Sequence, residues 1–206
     1  VSEGPPPSER MMSAVQLARH DQRRVIAAML SRAFFNDPSI GWIFPDPAVR
    51  SKRLPRLFML LFDTDANKGM RLVTERGEAA TLWRAPGQAH TSMGEMISSI
   101  LPMIGCFGSA IGRAIAVSQA IDAHLPDGDY WYLHIAGCDP LHQGKGIGGA
   151  IVRDGLQRSV DGRFPAYLET PLEKNISFYQ RMGFAVTDEW TVPRGGPRFW
   201  SMLRPV

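Results

Sequence analysis

The chain has 206 residues, 44% hydrophobic and 21% charged, with a formal net charge of +3. This is the composition of a globular protein with a full hydrophobic core, and its mild basicity, without a Lys/Arg run, predicts neither a nucleic-acid nor a membrane partner. Two cysteines, Cys106 and Cys138, make no disulfide framework, no apolar run matches the ~20 residues of a membrane span, and no signal-peptide core opens the chain, so a cytoplasmic location is expected.

Residues 1–11 are polar and proline-rich and are expected to form a disordered tail; residues 12–206 are expected to form a single domain. Residues 13–19 (SAVQLAR) suit a first strand. From His20 a helix follows, with Val25, Ile26, Met29, Leu30, Ala33 and Phe34 on one face, stopped at Asn36-Asp37-Pro38. Leu54, Leu57, Phe58, Leu61 and Phe62 mark a second amphipathic helix. Residues 69–74 and 78–83 read as two strands joined by a hairpin around Arg76-Gly77. Between Arg84 and Pro126 the strand pattern lapses. Met, Ile, Ala and Gly predominate there and predict two helices, broken near Pro102 or Gly105–Gly108, an insertion placed to cover an acceptor pocket.

The stretch from Trp131 to Asp154 organises the rest. An aromatic and apolar run reads as a buried strand and turns at Asp139-Pro140. Four glycines in six residues follow (Gly144, Gly146, Gly148, Gly149), then a helix with Ile147, Ile151, Val152, Gly155 and Leu156 along one side. Strand, glycine-rich turn and helix start make an anion cradle, because glycine admits close approach and the first helical N–H groups lack intrahelical partners. Lys145 could add a charge at its rim.

A P-loop is excluded, since Gly144-Lys145 is followed by Gly146 and not by Ser or Thr. The dinucleotide fingerprint is met on paper by Gly144, Gly146 and Gly149, with Glu169 about 20 residues on. Against it, Asp139 to Gln143 separate strand from glycines, and too little chain follows for a six-stranded nucleotide fold. The pattern Q-x-x-G-x-G, filled by Gln143, Gly146 and Gly148, fits better.

Downstream, residues 164–169 read as a strand. Thr170-Pro171-Leu172-Glu173 reads as a helix start, with Thr170 as N-cap and Glu173 closing a capping box, and the helix is expected to reach Met182. Two strands, 184–192 and 198–203, close the chain. The segment AYLETPLEKNISFYQRMGF (166–184), with Asn175, Phe178, Tyr179, Gly183 and Phe184, is a second motif. Together the two motifs resemble those of the GNAT superfamily of N-acetyltransferases, most of all its puromycin N-acetyltransferase-like members, which share the DP.HQGKG, LET and N..FY pieces. The resemblance is solid from about Asp129 to Leu203.

This resemblance implies an α/β fold: a mixed, largely antiparallel sheet of about seven strands flanked by helices, splayed at the central strand to admit acetyl-CoA, with a helical insertion before that strand. It implies direct transfer of acetyl from acetyl-CoA to a primary amine of a small molecule, by a monomer or homodimer without a metal. Gln143, Gly144, Lys145, Gly146, Ile147, Gly148 and Gly149 would hold the pyrophosphate. The backbone of Ala136, Gly137 and Cys138 would pair with the pantetheine arm, the Cys138 N–H or its neighbour serving as oxyanion donor. Asn175 and Phe178 would contact the arm. Tyr179 matches the family's general acid, since a phenol can protonate a departing thiolate.

Tyr130, Tyr132, His134 and Ala136 are expected to share a strand face, and His134 is the candidate base, as in arylalkylamine acetyltransferases, with Glu169 second. Glu95, Asp63 and Asp65 could orient a cationic acceptor, but nothing in the sequence fixes them in space. A non-catalytic acyl-CoA sensor on the same fold, and more remotely an NAD-dependent oxidoreductase, are the competing readings.

Overall fold

A computed structural model describes residues 14–90, 101–159 and 163–206. The expected tail over 1–11 and Glu95 lie outside the described residues. In chain order the elements are β1 (Val15–Leu17), α1 (Arg23–Ala33), α2 (Pro38–Ile43), α3 (Pro47–Thr64), β2 (Gly69–Thr74), β3 (Ala79–Arg84) and α4, described over 101–107. There follow α5 (Ile111–Ala123), β4 (Trp131–Cys138), α6 (Ile147–Arg158), β5 (Ala166–Thr170), α7 (Ile176–Gln180), β6 (Ala185–Thr191) and β7 (Arg198–Arg204). The strands form one sheet in the order β1-β2-β3-β4-β5-β7-β6. Every neighbouring pair is antiparallel except β4 and β5. This is the α/β arrangement expected from the two motifs.

Local chemistry starts the helices where proline and aspartate fall together. Asp37 caps α2 by accepting from the N–H groups of Ser39 and Ile40, with Pro38 in the first turn. Asp46 and Pro47 do the same for α3. Helix α1 buries Ile26, Met29 and Leu30 against the sheet. Val25, expected on that face, is 63% exposed, because the helix meets the sheet along a stripe too narrow to include it.

Two apolar layers sandwich the sheet. On one face α6 and α7 pack on Trp83, Leu133, Leu168 and Met202. On the other, α1, α2, α3 and α5 pack on Val73, Leu82, Phe199 and Trp190. Side chains the size of Trp83, Phe58 and Phe62 are fully buried, each worth about 1.5–3 kcal/mol. Gly155 lets α6 lie close, for a Cβ there would come 2.5 Å from the Trp83 indole.

The insertion between β3 and β4 is helical, as expected, and its break falls at the 3-10 turn Gly108–Ala110. Residues 101–123 together are 23 residues long and apolar enough to cross a bilayer by length and composition. The sequence predicts two helices here but no apolar run of span length, and the two helices taken together reach that length. In the fold Ala114, Val117 and Ala120 are buried in the layer shared with α2 and α3, and Arg113 donates to the Ile43 carbonyl at 3.0 Å.

Strand β4 carries an irregularity that matters for the site. Its register with β3 steps from Leu82↔Ile135 to Trp83↔Leu133, so His134 is the extra residue of a β-bulge. Before the bulge, Trp131 and Leu133 face α6; after it, Ala136 and Cys138 do. The expected shared face of Tyr130, Tyr132, His134 and Ala136 is therefore broken. His134 stays with Tyr132, their rings 5.4 Å apart, while Ala136 turns to the opposite side.

Candidate active site

Strands β4 and β5 pair only at Trp131↔Ala166 and Tyr132↔Tyr167. Beyond that point β4 continues to Cys138 beside β3, while β5 continues to Thr170 beside β7. The sheet thus opens into a V, and a cleft of ≈ 790 Å³ fills the gap. From Leu133 onward the side of β4 that faced β5 has no strand partner, so its backbone groups are available to an extended ligand.

The outer end of the cleft is made by the glycine loop. Gln143, Gly144, Gly146, Gly148 and Gly149 line it. Gly144 (φ 77°) and Gly146 (φ 80°) hold left-handed backbone, and no atom lies within 4 Å of where their Cβ would be. The left-handed Gly146 turns the chain into α6, whose free N–H groups and positive dipole end lie at the cleft. The loop is braced from below. Asp139 is buried and takes two bonds from Arg32, at 2.9 and 2.5 Å, plus the N–H of Leu141 at 3.1 Å. The Gln143 side chain donates to the Cys138 carbonyl at 3.0 Å. Burial pushes the Asp139 carboxyl up, but the hydrogen bonds donated by Arg32 and by the Leu141 N–H outweigh it and hold it below its usual range.

The inner end has two walls of different chemistry. On the α6 side, Asn175 just before α7 and Phe178 and Tyr179 within it line the cleft. The helix start predicted at Thr170 lies later in the chain. Thr170 ends β5, a 3-10 turn runs Glu173–Asn175, and α7 begins at Ile176. Pairing of Thr170 with Trp200 keeps it in the sheet, and its hydroxyl receives the side-chain amide of Asn175 and the N–H of Leu172, both at 3.3 Å. Tyr179 is 7% exposed, and burial with the nearby Glu169 carboxylate raises its hydroxyl above the usual range. Such a phenol stays protonated and can give its proton only to a strong base.

On the opposite side lie His134 and Glu169, both lining the cleft. His134 Nδ1 donates to Asp65 Oδ2 at 2.6 Å, and Arg84 Nε donates to Asp65 Oδ1 at 2.8 Å. Asp65 is wholly buried, and the His134 side chain is 16% exposed. Burial pushes the Asp65 carboxyl up, but His134 and Arg84 outweigh it and hold it below its usual range. Burial lowers the His134 imidazole, against the pull of Asp65. The pair thus holds a neutral imidazole with Nδ1 protonated and Nε2 available as an acceptor.

Glu169 alternates with Leu168 and Thr170 along β5 and points away from the α6 layer. Its Oε1 receives the Tyr132 hydroxyl. Its Oε2 is buried without a hydrogen-bond partner. Burial pushes its carboxyl up to about 7, against the Tyr132 bond and the charge of Arg84.

Most residues expected at the site line one cleft: Ala136, Gly137, Cys138, Gln143, Gly144, Gly146, Gly148, Gly149, Asn175, Phe178, Tyr179 and His134. Lys145 and Ile147 do not line it. Lys145 Nζ folds back to the Leu141 carbonyl at 3.0 Å, and Ile147 packs into the α6 layer. Gly137 is small for a reason other than a ligand: a Cβ there would come 2.5 Å from Leu30 of α1. The Cys138 thiol is pushed up by burial and by Asp139, which leaves it a poor nucleophile. Among the described residues none of 101–123 lines the cleft.

Three cations at the cleft, Arg153, Lys174 and Arg181, had no place in the sequence reading. Arg153 was legible as the residue one helical turn after Gly149. Asp65 was missed as the partner of His134, Arg84 as the second partner of Asp65, and Tyr132 as the partner of Glu169. No group of His, Cys, Asp and Glu that could hold a metal occurs among the described residues.

The sequence profile of the Acetyltransferase (GNAT) family matches residues 103–184, which span the inserted helix, β4, the glycine loop, β5 and α7. A crystal structure from Corynebacterium glutamicum, of "histone acetyltransferase HPA2 and related acetyltransferase", is 26% identical. The match covers 95% of this chain and 97% of that one, with a TM-score of 0.71. A polyamine N-acetyltransferase of Drosophila melanogaster, described as forming N-acetylagmatine, is 14% identical over 94% of this chain and 99% of its own, with a TM-score of 0.61. An arylalkylamine N-acetyltransferase of Aedes aegypti is 12% identical over 93% and 98%, with a TM-score of 0.59. The two insect proteins, at these identities, share the fold. Profile and fold together support a GNAT superfamily acetyltransferase.

Proposed function

We propose that this chain, a GNAT-type acetyltransferase by profile and fold, transfers acetyl from acetyl-CoA directly to a primary amine of a small molecule. The observation that carries the reading is the V between β4 and β5, with the glycine loop at one end and Tyr179, His134 and Glu169 at the other. The residues present fit acetyl-CoA. Open space in front of Gly144 and Gly146, with the start of α6 and the cations Arg153, Lys174 and Arg181, suits its phosphates. The unpaired edge of β4 suits the amide-bearing pantetheine arm, and Asn175 adds a side-chain partner. When bound, acetyl-CoA supplies an acyl group activated as a thioester.

In this reading His134 Nε2 accepts a proton from the acceptor ammonium, held to that task by Asp65. The neutral amine then adds to the thioester carbonyl. Backbone N–H groups of β4 between Leu133 and Cys138 that face the gap receive the developing oxyanion. As the carbon–sulfur bond breaks, Tyr179 protonates the leaving sulfur, the second proton lost from the adduct nitrogen restores the Tyr179 phenol through solvent, and the proton held by His134 passes to bulk water. Tyr179 and His134 belong to opposite faces of the sheet, so acid and base flank the gap.

The small-amine acceptor rests on the resemblance of the LET and N..FY pieces to puromycin-type enzymes. It accords with the amines named for the fold neighbours. Titration of the purified protein with acetyl-CoA, with NAD as control, tests the donor, and amine-dependent thiol release over a panel of alkylamines tests the reaction. Binding without release on any amine would leave a sensor in place of an enzyme. Binding of NAD alone would return Gly144, Gly146 and Gly149 to the dinucleotide fingerprint.

A further inference from the structure

Glu169 stands in a setting that packing alone does not explain. Its Oε2 is buried without a hydrogen-bond partner, on a residue that lines the cleft. Its other oxygen is held by Tyr132, whose ring also lies 5.8 Å from that of Tyr167 and has the Arg84 guanidinium 5.9 Å above it. The Tyr130 ring sits 5.4 Å from Tyr167, and its hydroxyl is likewise buried and unpartnered. An orphaned carboxylate oxygen in such a place costs stability and is retained where something else completes it. The missing partner must be a donor, and a carboxylate oxygen on the cleft wall pairs more strongly with a cationic donor than with a neutral amide.

We infer that Glu169 Oε2 is the ammonium-recognition atom of the acceptor subsite, so that the enzyme selects alkylamines that are cations at neutral pH over weakly basic arylamines. The inference rests on the amine-acetyltransferase reading and deepens it. Glu169 receives a hydrogen bond from the acceptor ammonium before His134 takes a proton from the same nitrogen. Neither step moves a proton onto Glu169. Recognition needs the ionised carboxylate, whose carboxyl burial has pushed up to about 7. The charged and titratable groups around it are Arg84 from β3, Tyr130 just before β4 and Tyr132 within it, Tyr167 on its own strand, Tyr179 on α7 and Asp122 on α5. Affinity for an alkylammonium ion therefore rises as pH passes upward through about 7.

The test is Glu169→Gln, which keeps shape and the bond from Tyr132. Putrescine, agmatine, tryptamine and, as the weakly basic control, aniline are titrated calorimetrically into the CoA-saturated protein, with steady-state KM measured beside them. The inference expects alkylamine binding weakened about 10–100-fold, as for loss of a charged hydrogen bond. It expects unchanged affinity for acetyl-CoA, unchanged KM for aniline, and a higher melting temperature at pH 8, where the variant lacks the buried charge. Equal loss for aniline and alkylamines, a fall in kcat with KM untouched, or a lower melting temperature would overturn it, the last two pointing to a base or a packing role. Wild-type protein that binds none of the alkylamines would overturn it too. Failure of the acetyltransferase reading shows separately, as absence of acetyl-CoA binding in the wild type.

Discussion

The two ends of the cleft are built in opposite ways. The outer end is backbone: left-handed glycines, the free N–H groups of α6 and an unpaired strand edge, all within Leu133 to Gly149. The inner, acceptor-facing wall is side chains brought from afar. Asp65 at the end of α3 meets His134 in the bulge of β4, 69 residues away, and Tyr132 meets Glu169 at a separation of 37 residues. A backbone site recognises what every donor molecule shares. In the proposed function a wall of long-range side chains distinguishes acceptors, and its Glu169 carboxyl, pushed up to about 7, titrates. The donor end should therefore respond to changes in backbone conformation and little to pH, and the acceptor end the reverse.

The largest effect should come where the two ends meet. Tyr179→Phe is expected to lower kcat by about 10²–10⁴-fold, the usual worth of a positioned proton donor, with acetyl-CoA affinity unchanged by calorimetry. Equal loss of both would make Tyr179 a packing residue and merge the two regions. Next, Asp65→Asn should lower kcat/KM about 10–100-fold, as when a positioning partner of a histidine is lost. Burial lowers the His134 imidazole, and Asp65 is the group that raises it. Its neutralisation therefore moves the acid limb of the pH profile to lower pH. A pH profile that drops without shifting would indicate a structural ion pair only. Acetyl-CoA affinity reports on the fold of this variant, since it leaves Arg84 without its buried anion.

At the outer end, Gly146→Ala forces a β-carbon into left-handed backbone at φ 80°. The strain of about 1–2 kcal/mol should weaken acetyl-CoA binding by about tenfold, at every pH between 6 and 9, with kcat at saturation little changed. The smallest effect belongs to Cys138. Its thiol is raised by burial and Asp139, so Cys138→Ala should leave thiol release within about twofold of wild type. A collapse of turnover there would mean an acetyl-cysteine step.

This division also explains what could be read from the chain alone. The glycine loop, the turn at Asp139-Pro140 and the 143–149 spacing are local, and they encode a strand–loop–helix that the fold contains. The hairpins around Gly77 and Gly195-Gly196, and the helical insertion, follow from composition over short windows. Period-two reading failed at β4 because a bulge adds a residue without leaving a mark in the sequence. His134 is simply the residue after which the alternation reverses. The helix start at Thr170 failed because a capping signal was outcompeted by pairing with Trp200 in the sheet. Asp65 is offered by the sequence for a cationic acceptor with nothing to fix it in space; the fold places it, wholly buried, between His134 and Arg84. Nor does any pattern say that Glu169 keeps one oxygen for a visitor.

Direct transfer across the gap is the central claim, and a single-turnover experiment tests it most closely. The preformed acetyl-CoA complex is mixed with putrescine, and free thiol, N-acetyl product and protein mass are followed together. The account predicts that thiol and product appear at one rate, with no acetylated protein at any time. Thiol released ahead of product, with acetyl transiently on the chain, would contradict it.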